Sequence, residues 1–208
     1  MLLTAEEKEA RRVKIMEACF DCYCENGLNE TGMKALGEAC GMNHSSFYNY
    51  FENLDELIVA STAHCMAKVE DEFMEKAFSY CSEDGPVDLG VVLQFLREVP
   101  YWTAEKHGKK YRFMYQVYSS PKYLEHGKRF FEGVNTRYAA YAAQLEPRIG
   151  IPRKVIEGII FTVVRASVHF AMFEDAYYLT AQLDLLTAAV QAIAGRNSGE
   201  AVPPPKRQ

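Results

Sequence analysis

The stretch Thr31–Leu57, TGMKALGEACGMNHSSFYNYFENLDEL, constrains this chain more than any other. Met33, Leu36, Gly37 and Cys40 recur at i, i+3, i+4 and i+7, which is one face of a helix, and Gly41 supplies the backbone freedom needed just past its end. Asn43 is placed to accept a hydrogen bond from the free amides of a second short helix, His44 to about Tyr50, and a third helix starts after Asn53. Gly37 lets two helices cross closely at a steep angle. The pattern is a helix-turn-helix. Its second helix turns His44, Ser45, Ser46 and Asn49 outward and keeps Phe47, Tyr50 and Phe51 for packing. Small polar side chains on a protruding helix suit a major groove, where base edges present donors and acceptors.

The residues around this motif carry a resemblance. Ile15, Ala18, Cys19, Cys22 and Tyr23 form a small-residue helix face, followed by Gly27, Thr31, Leu36, Gly37, Ala39, Cys40, Gly41 and Met42. Tyr48, Tyr50, Phe51 and Leu57 then close the segment in the form Tyr-x-Tyr-Phe with a polar stretch ending in Leu. The segment resembles the TetR-type transcriptional regulators, and departs from them at Leu54, where that family usually shows a lysine. The resemblance implies an all-α homodimer with a three-helix DNA-binding head, residues 1–54, and a larger helical domain, 55–195, for effector binding and dimerisation. It implies a repressor on palindromic double-stranded DNA, released by a small, largely apolar or aromatic effector, with no cofactor or metal and no enzymatic activity. His44, Ser45, Ser46 and Asn49 are then expected to reach bases, and Thr31, Lys34, Asn43, Tyr48 and Tyr50 to hold phosphates.

At 208 residues, 49% of them hydrophobic, the chain can bury a sizeable core and build one ordinary domain plus a small one. No stretch reaches the roughly 18 uninterrupted apolar residues of a membrane span, and MLLTAEEKEARR places charges where a signal peptide needs its apolar core, so a cytoplasmic protein is expected. All six cysteines, Cys19, Cys22, Cys24, Cys40, Cys65 and Cys81, lie in the first 81 residues. Two readings stand for them: a thiol or metal sensor at Cys19, Cys22 and Cys24, with Cys40, or small buried residues of the helix faces. Charge runs against the motif. Residues 1–57 hold five Lys and Arg against eleven Asp and Glu, a net −6 in the segment assigned to DNA, whereas nucleic-acid binding normally leans on neutralised phosphates. That imbalance keeps open an alternative, a dimeric ligand- or partner-binding protein of the same fold that has lost DNA binding.

Taken in order, residues 5–26 read as a helix with Val13, Ile15, Met16, Cys19, Phe20, Cys22 and Tyr23 as its apolar stripe. Arg11, Arg12 and Lys14 lie near its start, placed either for phosphate or for plain solvation. A helix follows over about 55–80, a turn at 81–86, then a short helix over 87–98 closed or kinked at Pro100. HisGlyLysLys at 107–110 reads as a break before a helix over 111–118. Helices over 121–146 and 153–174 come next, the latter apolar nearly all round. Leu179, Leu183, Leu186, Val190 and Ile193 step by four and three along the last helix, the a/d seam of a two-fold interface formed by the last two helices. The tail 196–208 is expected to be disordered.

Large side chains mark the second half. An apolar effector cavity with hydroxyl handles is expected among Tyr101, Trp102, Phe113, Met114, Tyr115, Tyr118 and Phe161. Arg165 and His169 lie one turn apart in the apolar helix, where a buried guanidinium needs an anion, supplied either by an internal glutamate or by the effector. No Ser-His-Asp order, glycine-rich phosphate loop or HExxH motif points to catalysis.

Overall fold

The computed structural model describes residues 4–81 and 86–197, and all regular structure among them is helical. The order is α1 (Ala5–Asn26), α2 (Met33–Cys40), a 3-10 helix (His44–Asn49), α3 (Leu54–Phe78), α4 (Leu89–Tyr118), α5 (Leu124–Ile149), α6 (Arg153–Phe173) and α7 (Ala176–Asn197). The described residues fall into two compact units, within Met1–Glu72 plus Lys109–Gly133 and within Phe73–Gly108 plus Val134–Gln208. α3, α4 and α5 therefore contribute to both. The tail expected over 196–208 is helical at its first two residues, since α7 continues through Asn197, and the rest of it lies outside the described residues.

In the N-terminal unit, α1 opens on a reciprocal cap in which Thr4 Oγ1 accepts from the Glu7 amide and the Glu7 carboxylate accepts from the Thr4 amide. Its buried face is Ile15, Met16, Cys19, Phe20 and Tyr23. α2 presents Leu36 and Gly37 inward and stops at Gly41, whose φ of 59° is left-handed, and the amides of Gly41 and Met42 return to α2 carbonyls. Asn43 then accepts from the Ser45 amide at 3.1 Å, as expected of a cap. The helix it opens is a 3-10 helix of six residues, tighter than the α-helical turn expected; so short a segment has few i→i+4 bonds to gain. Phe47, Phe51, Leu57 and Ile58 are buried. From far along the chain, Phe113 stacks on Tyr23 with ring centroids 5.1 Å apart and meets Phe20 edge-on at 5.4 Å. The unit is thus one core built from both ends of its sequence.

In the C-terminal unit, α6 and α7 form an antiparallel pair joined at Glu174, a non-glycine residue with φ of 56°, and Asp175. Ala166 of α6 packs against Leu179 and Leu183 of α7, with Phe170 beside them. α6 is long and apolar enough to cross a membrane by length and composition; half of its most apolar stretch is buried within the chain.

Two expectations are corrected here. α4 runs unbroken from Leu89 to Tyr118 with Pro100 inside it, so neither Pro100 nor the 107–110 segment ends a helix. Pro100 is buried, and Gly108 is a packing residue: a Cβ built there would lie 2.9 Å from Cβ of Ala171 on α6. Close helix approach, not flexibility, accounts for Gly108. Gly108→Val is expected to lower stability by about 1–3 kcal/mol, read as a lower denaturant midpoint with unchanged slope. On α7, the expected seam is partly taken up inside the chain: Leu179, Leu183 and Val190 are buried within the unit, while Leu186 and Ile193 are half-buried. The residues α6 and α7 leave outward are instead Phe173 at 65% exposure, Tyr177 at 85% and Leu185 at 65%.

Candidate DNA interface and effector cavity

The 3-10 helix and the turn before it carry the expected reading surface. Ser45, Asn49 and Asn43 are exposed, Tyr48 is 59% exposed, and Ser46 and Tyr50 are half-buried. Lys34 stands on α2 with its side chain 94% exposed, 3.9 Å from Glu38. The side chain of His44 lies outside the described residues. Thr31 does not fit the phosphate role: it is 8% exposed and its hydroxyl donates to the Gly27 carbonyl at 2.6 Å. Arg12 is likewise a structural residue. Its guanidinium lies 4.8 Å over the Phe51 ring, donates to the Tyr50 carbonyl at 3.3 Å and pairs with Glu56 at 3.1 Å. It thereby anchors the end of the 3-10 helix to α1. Glu56 also accepts from the Glu52 amide at 2.6 Å. Arg11 and Lys14 remain exposed.

The acidity of residues 1–57 is partly answered within the same unit. Residues 109–133 bring six Lys and Arg against two Glu. Lys109 pairs with Glu25 at 2.5 Å and Lys122 with Asp55 at 2.6 Å, while Tyr123 donates to Asp55 at 2.6 Å. The hydrogen bonds from Lys122 and Tyr123 hold the Asp55 carboxyl below its ordinary range. On α1, Glu17 is held low in the same way, first by Lys68 at 2.8 Å and then by His64. Counting along the first 57 residues alone misses these bases because they arrive from α3, α4 and the α4–α5 corner.

Inside the C-terminal unit lies an apolar cavity of about 70 Å³. The end of α3 supplies Phe73, Met74, Ala77 and Phe78; α4 supplies Val91, Val92 and Phe95; α5 supplies Leu145 and Ile149; α6 supplies Ile156, Ile159 and Ile160. Tyr80 and Cys81 add the polar atoms. The Tyr80 hydroxyl is committed to Glu98 at 2.6 Å and its pKa is pushed up to about 12, chiefly by burial. The walls therefore suit hydrocarbon and offer no free charge partner to a ligand head within the described lining.

The nine residues expected to bind an effector do not meet at this cavity. Phe113, Met114, Tyr115 and Tyr118 belong to the N-terminal unit, where Phe113 and Met114 are core and Tyr115 and Tyr118 cluster with Phe130 and Phe131. Tyr101 meets Phe170 edge-on, Trp102 stands against His107 with Lys106 over its ring, and Phe161 meets Tyr138. Arg165 is exposed, so the expected buried guanidinium is corrected. His169 is half-buried, 3.4 Å from Asp175 and 4.2 Å from the Tyr178 ring, at the α6–α7 corner. The sequence signal for the lining of this cavity is the aliphatic richness of 87–95 and 149–160; weight placed on aromatic hydroxyls passes over it.

Architecture and site together define an all-α protein with a helix-turn-helix head and a hollow helical body. Residues 15–60, from α1 into the start of α3, match the family model of the bacterial regulatory proteins, tetR family. Solved structures with the same fold span nearly the whole chain. A protein from Mesorhizobium loti assigned to the tetR family of transcriptional regulators shares 16% identity over 93% of this chain and 98% of its own, with a TM-score of 0.68. A TetR transcription regulator from Haloarcula marismortui shares 14%, covering 88% of this chain and 98% of its own, with a TM-score of 0.62. The transcriptional regulator FadR from Bacillus subtilis, in complex with stearoyl-CoA, shares 13% over 85% of this chain and 96% of its own, with a TM-score of 0.55. No curated protein sequence matches the chain.

Proposed function

We propose that this protein is a cytoplasmic, homodimeric repressor that leaves a palindromic operator when a small apolar effector enters the cavity of its C-terminal unit. One observation carries the reading. α3 is a single 25-residue helix whose first half packs the head through Leu57 and Ile58 and whose last turns, Phe73 to Phe78, wall the cavity. Such a helix is about 37 Å long, and a ligand that spreads the cavity wall displaces the same rod that seats the reading surface. The effector acts by preferring the dimer state whose heads no longer match successive major grooves.

A hydrocarbon chain is the ligand chemistry that the walls support, and the stearoyl-CoA held by the B. subtilis FadR of this fold agrees with it. A cavity of about 70 Å³ holds only a short segment, so longer chains enter by opening it. Dimerisation is assigned to the outward face of α6 and α7, where Phe173, Tyr177 and Leu185 stand in solvent within one protomer. A second reading, the same dimer without DNA binding, is favoured by the net −6 of residues 1–57.

The test is DNA retention on fragments upstream of the protein's own gene, at rising salt, with a panel of fatty acids and acyl thioesters of graded length. Salt-sensitive retention released by one chain length supports the repressor; a folded dimer with no retention at low salt supports the second reading. Val91, half-buried in the cavity wall, gives the control. Val91→Phe is expected to keep DNA retention and to abolish the ligand's thermal stabilisation, which for the parent protein is about 2.7 kcal/mol at a hundredfold excess over Kd.

A further inference from the structure

Cys19 of α1 and Cys40, the last residue of α2, meet with their sulfurs 3.4 Å apart. The two are unlike. Cys19 is wholly enclosed, whereas Cys40 is half-buried and opens on a surface groove lined by Glu7, Arg11, Lys14 and Met42. Either sulfur can donate in this contact, and as a thiol Cys40 also reaches the Ile15 carbonyl at 3.9 Å; the shared hydrogen bond draws the Cys40 thiol below its ordinary value and, with burial, pushes the Cys19 thiol up. Cys24 and Cys65, by contrast, are pushed up to about 12 by burial and keep their protons. An accessible, more acidic thiol beside an enclosed protonated one is the arrangement of an attacking and a resolving cysteine.

We propose that Cys19 and Cys40 are a reversible dithiol–disulfide pair, oxidised by hydroperoxides and restored by dithiols, that sets the position of α2 in the head. The Cys40 thiolate attacks the outer oxygen of the hydroperoxide, giving Cys40 sulfenic acid and an alcohol or water. The Cys19 sulfur then displaces that hydroxyl, forming the S–S bond and releasing water. A dithiol returns both thiols and is itself oxidised to its disulfide. Bond formation closes the sulfurs from 3.4 Å to about 2.05 Å. The end of α2 moves by on the order of 1 Å, and with it the Gly41–Asn43 turn that leads into the 3-10 helix. The expected consequence, which rests on the DNA-binding reading above, is weaker retention of DNA by the oxidised head. Losing one good base contact through such a shift corresponds to a fall of about tenfold or more.

The experiment treats reduced, full-length protein with limiting hydrogen peroxide and follows intact mass, non-reducing peptide maps and DNA retention. A loss of about 2 Da, a mapped Cys19–Cys40 cross-link and full reversal by dithiothreitol are expected. Cys40→Ser and Cys19→Ala should abolish the cross-link, and Cys22→Ser should keep it. Oxygen adducts on Cys40 without a cross-link, or cross-links to Cys22 or Cys24 instead, would overturn the pair. Equal DNA retention by the two redox forms would overturn its effect on the head. If neither form retains DNA, the repressor reading fails while the mass result still decides the pair.

Discussion

Phe113→Ala is expected to lower the stability of the protein by about 3–5 kcal/mol, the range for emptying a buried aromatic site. Phe113 is 2% exposed and fills the space between Phe20 and Tyr23 on α1, stacked on one ring and edge-on to the other. A cavity there separates α4 from the helix on which α2 and the reading surface rest. Against total stabilities of about 5–15 kcal/mol, that loss removes a large share of the folded population at physiological temperature. Urea unfolding of parent and variant gives the number directly. A loss below about 1 kcal/mol would show that Phe113 lines a soft or hollow site, the role its aromatic neighbours first suggested. Phe113→Leu is expected to recover more than half of the loss, since most of the volume and apolar area returns.

The second large effect is on binding. Tyr48→Ala combined with Asn49→Ala is expected to weaken specific DNA retention about 100-fold or more, because each good base or phosphate contact is worth about 1–3 kcal/mol. Both residues are exposed on the 3-10 helix, and exposed substitutions of this kind usually shift stability by no more than about 0.5 kcal/mol. Retention and thermal unfolding measured on the same sample separate the two effects. Loss of retention with an intact unfolding transition confirms the reading surface; parent-like retention would move it elsewhere in the head. Lys34→Ala should act differently, weakening all sequences alike and reducing the salt slope by about one ion.

The helix-turn-helix was legible because its chemistry is local. Gly41 takes the left-handed turn, Asn43 caps the next helix and Leu36 faces inward, and each role follows from residues within four positions. The departures have several causes, and not all of them are distant in sequence. Thr31 looked free for phosphate until the fold put the Gly27 carbonyl 2.6 Å from its hydroxyl. Pro100 is expected to close or kink its helix and the 107–110 segment to break it, because they do so in isolated helices, yet α4 continues through both, with Pro100 buried and Gly108 letting α6 approach. On α7 the periodicity marks a real apolar face, but periodicity names a face and not its partner: Leu179 and Leu183 pack on α6 of the same chain. Arg165 was judged buried from its apolar neighbours in sequence, whereas a helix covered over most of its girth can still turn one residue to solvent. The cavity was missed because its walls come from four helices, each contributing residues that read singly as ordinary core.

Pro100 leaves one more mark on α4. With no amide hydrogen there, the carbonyl of Leu96 lacks the rung that every neighbouring carbonyl enjoys, in a helix of 30 residues otherwise continuous. A long rod with one missing rung is stiff at both ends and compliant in between, and compliance localises strain. If an effector enters the cavity as proposed, a guest that pushes Val91, Val92 and Phe95 outward would meet least resistance by bending at this joint, within the stretch of α4 that lines the cavity.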